Sequence, residues 1–327
     1  MKAIVSGGAG FIGSHLVDRL VKDGHTVAVM DNLANGLELN INQKVINDKL
    51  WWGCCVESEH ASMRVDEFKP DVIFHLAALG SVPFSVEHPD KVFKTNVEGT
   101  ANMLNAARKA GARFVFASSA SYYGDDVVVS EFGPTSKVEV LPPNPLNHYG
   151  ASKVMGELWG KAFHRMHGLE FVALRFFNVF GPRQRSDSQY AAVVPKFIKA
   201  ALDRGVIELH GGGVQTRDLT YVSNVVDACV DVALAPAERV AGQSFNVCAG
   251  DQVSIVNLVN EVFNQVGRFA GEIEVVITEP RPGDIKHSFG SYLKLQTATG
   301  WQPSVSWRKG ICALVKYEME LREMDRR

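Results

Sequence analysis

The chain has 327 residues, 46% of them hydrophobic and 21% charged, the composition of a soluble globular protein long enough for one large or two closely joined domains. A formal net charge of −2 leaves no basic surplus for neutralising nucleic-acid phosphates, and no apolar run approaches the roughly twenty residues of a membrane span. The five cysteines (Cys54, Cys55, Cys229, Cys248, Cys312) form no C-x-x-C pair, which argues against a zinc site, and their odd number behind a strand-like N-terminus without signal-peptide architecture predicts a reduced, cytoplasmic protein.

In chain order, "KAIVS" (2–6) reads as a first buried strand. "SGGAGFIGSH" follows at once, with Gly7, Gly10 and Gly13 spaced G-x-x-G-x-x-G, and opens a helix over 12–22 in which Ile12, Leu16, Leu20 and Val21 recur at helical spacing. Glycines there let the backbone turn tightly and approach a pyrophosphate, to which the first-turn amides of Phe11, Ile12 and Gly13 offer donors. "TVAVM" (26–30) is a second strand, ended by Asp31 and Asn32. A carboxylate at that point accepts hydrogen bonds from ribose hydroxyls and repels a 2′-phosphate, which predicts NAD rather than NADP.

Further strands are expected over 71–77, 113–118 and 170–176, with helices over 91–110 and 149–167. Strand–helix alternation of this kind predicts an α/β fold with a doubly wound parallel sheet. After about residue 178 glycine and proline become frequent, in "NVFGPRQ", "HGGGVQTRD" and "EPRPGD". The expected division is a cofactor domain over 1–178 and a smaller α+β substrate domain over 179–327, with the helix around 224–235 a candidate to pack back on the first.

Before the 149–167 helix, "LPPNP" ends a loop and Asn147 supplies an N-cap, so Tyr149 and Lys153 fall at i and i+4 on one helical face. Alone, a Tyr-x-x-x-Lys pair is a weak signal. It gains weight from its companions: the glycine motif with Asp31, "HLAA" (75–78), "TNVEGT" (95–100), "SSASYYG" (118–124), "LRFFNVFGPRQ" (174–184) and "QTRD" (215–218). Together these resemble the extended short-chain dehydrogenase/reductases that act on nucleotide sugars.

That resemblance implies Tyr149 as catalytic base, Lys153 as its electrostatic partner and holder of the nicotinamide ribose, and Ser119 as the third member, with Ser118 and Ser121 as lesser candidates. A free phenol has a pKa of about 10, and lowering it by about 3 units requires on the order of 4 kcal/mol of preference for phenolate. Around NAD the resemblance places the glycine loop, Asp31, Asn32, Ala77, Ala78, Tyr149, Lys153 and Asn96, the last with a structural role equally open; His75 is read as packed or hydrogen-bonded. Around a nucleotide sugar it places Gly80, Ser81, Ser121, Asn178, Gln184, Ala192 and Ser288, with Arg217 and Arg281 as a diphosphate clamp. Dehydratases of this type carry an Asp-Glu pair, and decarboxylases a Glu, where this chain has Ala120 and Ser121. The expectation is therefore 4-epimerisation through a keto sugar, in the subset that tolerates N-acetylated UDP-hexosamines. A lyase of the same type and a non-catalytic NAD-binding scaffold are the alternatives. Relatives of this kind pair as homodimers through helices near 91–110 and 149–167. Two departures stand out: Cys54-Cys55 where an acidic and an aliphatic residue usually meet adenine, predicting weaker NAD affinity, and a long segment over 125–148, a candidate lid.

Overall fold

A computed structural model describes residues 1–125, 129–130, 133–186, 192–268, 271–279 and 285–325. The continuous apolar runs become strands buried on both faces. In β1 (Lys2–Ser6) and β2 (Thr26–Met30) four successive residues are buried, as a parallel sheet covered on both sides requires. With β3 (Trp51–Trp52), β4 (Val72–His75), β5 (Arg113–Ser119), β6 (Phe171–Phe176) and β7 (Gln243–Val247) they form a seven-stranded sheet of order β7-β6-β5-β4-β1-β2-β3. Every pairing in it is parallel. Strand order reverses between β1 and β4, so their loops diverge and open a crevice at the strands' C-terminal ends.

Helices α1 (Phe11–Lys22), α2 (Glu59–Phe68), α3 (Gly99–Ala110), α4 (His148–His167) and α5 (Val222–Leu234) cover the sheet. Leu16, Val17 and Leu20 of α1 and Val225, Val226 and Val230 of α5 share one core cluster with the sheet; Ala61 and Val65 of α2 and Met103 and Leu104 of α3 belong to the cluster of the opposite face. Thus α5, though it comes from beyond residue 178, packs against the seven-stranded sheet. The sheet's last strand, β7, comes from beyond residue 178.

Two local features differ from simple periodicity. The expected 91–110 helix is broken: a short helix (Pro89–Val92) leads into a wide π turn (Phe93–Glu98) before α3 begins. And α4 lies unusually close to the sheet, because Gly156 and Gly160 face the rings of Phe116 and Phe171, where a Cβ would lie only 2.4 and 2.1 Å away. Bulkier residues would push α4, and the side chains it carries, off β5 and β6.

A buried ion pair fixes the same contact. Arg175 on β6 donates from Nε and Nη2 to the two carboxylate oxygens of Glu157 on α4, each at 2.8 Å, and both side chains are 1% exposed. Ser118 and Ser244 complete the carboxylate's shell at 2.6 and 2.7 Å. The chain beyond β6 builds a second core, in which helices Val193–Asp203, Ile255–Val266 and Trp307–Asp325 bury residues such as Phe197, Leu258 and Ile311. Beside it lies a small sheet of Val253–Ser254, Thr216–Arg217 and His287–Ser288. Of the 125–148 segment, Lys137 bridges in parallel to Gly290 and the Asn144 amide bonds the Tyr122 carbonyl, so it rests against both halves of the molecule.

Candidate active site

The crevice at the β1/β4 switch point widens into a cleft of about 880 Å³ running from Asp31 to Ser288. At one end β1 turns sharply into α1. Gly7 has φ +77°, and a Cβ on it would sit 2.7 Å from the Ala77 backbone; one on Gly13 would strike the Gly7 carbonyl at 2.1 Å. Gly10 caps α1 without a side-chain bond, so the first-turn amides of Phe11, Ile12 and Gly13 open onto the cleft they line. This cradle fits a pyrophosphate. Asp31, 8% exposed, receives the amides of Ala9 at 2.9 Å and Leu33 at 2.8 Å, one on each oxygen. Its remaining lone pairs suit ribose hydroxyls.

Ala77 and Ala78 also line the cleft, as do Asn32, Cys54 and Cys55. The Asn32 amide donates to Cys55 Sγ at 3.1 Å, so the thiols form part of the wall at the adenosine end. Asn96 does not line it. Its side chain is buried in the π turn, exchanging bonds with the Leu79 backbone (2.8 and 3.2 Å) and donating to Ser152 at 3.0 Å, which supports the loop bearing Gly80. His75 is likewise internal, between Ser6 and Thr100 at 2.8 and 3.0 Å, and burial with the nearby Lys153 charge holds its pKa down to about 3.

Midway along, α4 and the end of β5 bring Tyr149, Lys153 and Ser119 to the same wall. The Asn147 side chain accepts the Gly150 amide at 2.8 Å, as an N-cap should, and starts α4 one residue before Tyr149. Lys153 Nζ sits 5.7 Å from the centre of the Tyr149 ring and donates to the Ala117 carbonyl at 2.8 Å. Burial lowers the Lys153 pKa to about 8, so at neutral pH the ammonium persists. Burial pushes the Tyr149 phenol up, with the Ser119 hydroxyl drawing it back. The lowering of the phenol expected from the sequence falls to Lys153 together with a bound nicotinamide cation; in the protein alone, burial outweighs the Ser119 bond. Ser118 turns its hydroxyl away to Glu157, while Ser119 accepts the Ser121 amide at 3.1 Å and donates to the Ser121 hydroxyl at 3.2 Å.

Gly80, Ser81, Ser121, Asn178, Gln184, Ala192, Arg217 and Ser288 line the remaining half. Arg217 and Ser288 are register partners on adjacent parallel strands. The Arg217 guanidinium donates to the Thr216 and Ile285 carbonyls at 2.8 and 2.6 Å. Gln184 donates to the Val179 carbonyl at 3.0 Å, and its buried amide oxygen has no hydrogen-bond partner among the described residues. Arg281 lies outside the described residues. Sequence reasoning passed over Arg183 and Arg185, which also line this half; the signal was available in the two arginines of "GPRQR". The described cleft wall has just two carboxylates, Asp31 and Glu57, both on the cofactor side. Among the described residues no cluster of His, Cys, Asp or Glu suits a metal ion, and no helix is long and apolar enough to cross a membrane.

The family model described as "NAD dependent epimerase/dehydratase family" matches residues 3–248. The chain belongs to that family. A UDP-glucose 4-epimerase of Mycolicibacterium smegmatis is 37% identical over 97% of this chain and 98% of its own. A UDP-N-acetyl-alpha-D-glucosaminuronate decarboxylase of Bacillus cytotoxicus is 31% identical over 98% of each. Among solved structures, the UDP-N-acetylglucosamine 4-epimerase of Methanobrevibacter ruminantium in complex with UDP-N-acetylmuramic acid superposes with a TM-score of 0.88, at 32% identity and 98% coverage of both chains. As a family member the protein is an NAD-dependent enzyme of nucleotide-sugar chemistry, and the glycine cradle with Asp31 is where its residues fit the cofactor.

Proposed function

We propose that this enzyme is a 4-epimerase of UDP-hexoses, interconverting UDP-N-acetylglucosamine and UDP-N-acetylgalactosamine and accepting UDP-glucose and UDP-galactose as well. The observation that carries the reading is the composition of the wall around Ser119. Tyr149 and Lys153 stand ready for proton transfer, while Ala120 and Ser121 occupy the positions from which a carboxylate would drive elimination, and the described sugar half holds no carboxylate at all. Small residues at Gly80, Ser81, Ala192 and Ser288 leave room for a 2-acetamido group. The Methanobrevibacter neighbour supports that preference.

NAD, when bound, is the reversible two-electron partner of the sugar's C4 carbon and carries a positively charged ring in its oxidised form. The protein's own part is proton handling and grip. Lys153, whose Nζ lies 5.7 Å from the centre of the Tyr149 ring, favours a phenolate there, while burial of the phenol opposes it. Tyr149 takes the proton of the 4-hydroxyl and later returns it; Ser119 holds the sugar oxygen meanwhile. Arg217, with Arg281, grips the diphosphate while the keto sugar turns over, and the proton returns to the C4 oxygen once that carbon has been reduced from its opposite face. Tyr149 and Lys153 belong to a helix whose outer face we assign to a homodimer.

A second reading has its own support. Arg185 and Arg217 line the sugar half, and guanidinium groups there suit an acidic sugar, whereas Arg183 pairs with Asp18 at 2.8 Å. The Bacillus relative acts on a uronate. Purified protein with NAD is to be given UDP-N-acetylglucosamine, UDP-glucose and a UDP-hexuronate separately, with products resolved by NMR and mass spectrometry. Equal-mass C4 epimers from the first two substrates uphold the epimerase reading. Exclusive turnover of the uronate favours the second reading, loss of water or carbon dioxide a lyase, and no turnover of any of the three a non-catalytic role.

A further inference from the structure

We propose that Asp218 is a positioning residue for the sugar half of the cleft, setting the spacing among Arg217, Ser288 and Asn178 without touching a ligand. The proposal rests on the reading of that half as a nucleotide-sugar site. Asp218 is fully buried and absent from the cleft wall. Its carboxylate gathers donors from three separate stretches of chain: the amides of Ala249 and Gly250 at 2.7 and 3.0 Å, the amide of Gly290 at 3.4 Å, and the Thr220 hydroxyl at 3.3 Å. Its own amide donates to the Ser288 carbonyl at 2.7 Å, continuing the ladder that pairs Arg217 with Ser288. Two residues on, the Thr220 amide donates to the Asn178 carbonyl at 3.2 Å.

Each of the three candidate sugar-nucleotide contacts is therefore Asp218's neighbour in sequence, or bonded to Asp218 or Thr220. Burying a carboxyl group is costly unless hydrogen bonds satisfy it, and one that collects donors from three segments holds them in fixed register. Asparagine fits poorly here, because its amide would present hydrogens to groups that are themselves donors. The grip is also selective: all of these partners lie on the sugar side, and none belongs to the glycine cradle or to the walls around Asp31. A shift of about 1 Å in this ladder would displace the Arg217 fork from a diphosphate, enough for a large loss of function.

The test uses Asp218→Asn and the milder Thr220→Val, with UDP and NAD affinities measured by calorimetry and KM and kcat by coupled assay. Asp218→Asn is expected to raise the UDP Kd and the nucleotide-sugar KM about tenfold, with kcat and the NAD Kd changed by less than about threefold, the pattern of lost substrate binding. Thr220→Val is expected to move UDP affinity in the same direction by less. Unchanged UDP affinity in folded Asp218→Asn overturns the proposal, as does an equal fall in NAD and UDP affinity, which would indicate general loosening. Should Asp218→Asn fail to fold, unchanged UDP affinity in Thr220→Val overturns it. Wild-type protein that binds UDP but interconverts no sugar would refute the epimerase reading and leave this test standing, since UDP binding is read directly.

Discussion

Two ionisable groups share the reaction wall, Lys153 buried and Tyr149 half-buried, and burial works against the charged form of each. Lys153, ordinarily protonated to above pH 10, has its pKa brought down to about 8, while the Tyr149 phenol is pushed up. Tyr149→Phe is expected to lower sugar interconversion by about 10²-fold or more, since general-base catalysis contributes about that much; NAD affinity measured by fluorescence titration should barely change. The sign for Lys153 follows from linkage. The unfolded chain holds that proton more tightly than the folded one, so the folded state bears a cost below about pH 8 that is relieved as pH rises toward 10.5. Urea unfolding at pH 8 and pH 10.5 should show this component in the wild type and its absence in Lys153→Met. The alkaline limb of the activity profile should begin near pH 8, where the ammonium that favours phenolate is lost. These two residues were legible in the sequence because helical spacing alone puts i and i+4 on one face. The direction of the Tyr149 shift was not, because it depends on burial by β5 and the turn after it, which no spacing reveals.

At the scale of elements, what the sequence concealed was long-range. Periodicity finds β1, β2 and α1 because each is a local pattern, whereas Trp51–Trp52 is too short to show alternation and β7 lies among glycine-rich turns. Nothing local marks Arg175 as buried either: it is a charged residue in an otherwise apolar strand, made tolerable by Glu157 eighteen positions earlier on another element and by the Tyr123 hydroxyl. That pair joins α4 to β6, with Ser118 and Ser244 adding β5 and β7. Glu157→Leu is expected to cost about 3–5 kcal/mol in urea unfolding, because it strands a buried guanidinium. The double variant Glu157→Leu/Arg175→Met should recover much of that loss, which distinguishes an unpaired charge from a packing defect. The Glu157 carboxyl is held below its ordinary pKa by the Arg175 guanidinium and two hydroxyls, burial acting against them. Its stabilising part is thus complete above the ordinary carboxylate range and fades as pH falls through the depressed value. Acid unfolding should start at higher pH in Glu157→Gln than in the wild type.

For the whole molecule, the two cores place the catalytic wall on one rigid layer and the sugar-gripping ladder on the other, and α4 stands where both must be held steady. Its inner face carries Tyr149, Lys153 and Glu157. Its outer face leaves Met155, Leu158, Trp159 and Met166 between 46 and 76% exposed, with Phe93 of the neighbouring π turn at 50%. Large apolar side chains massed on one helix face are costly in water and mark a protein contact. A twofold pairing of this face would bury the tryptophan and press α4 onto β5 in each subunit. Light scattering should therefore give about twice the 35.8 kDa of one chain, and Trp159→Glu should halve the observed mass. Because all candidate catalytic groups come from a single chain, the monomeric variant should keep measurable turnover. It should also melt at a lower temperature, since α4 loses the support on its outer side. A wild-type mass of one chain at micromolar concentration would remove the dimer from this account and leave the exposed tryptophan without a partner of its own kind.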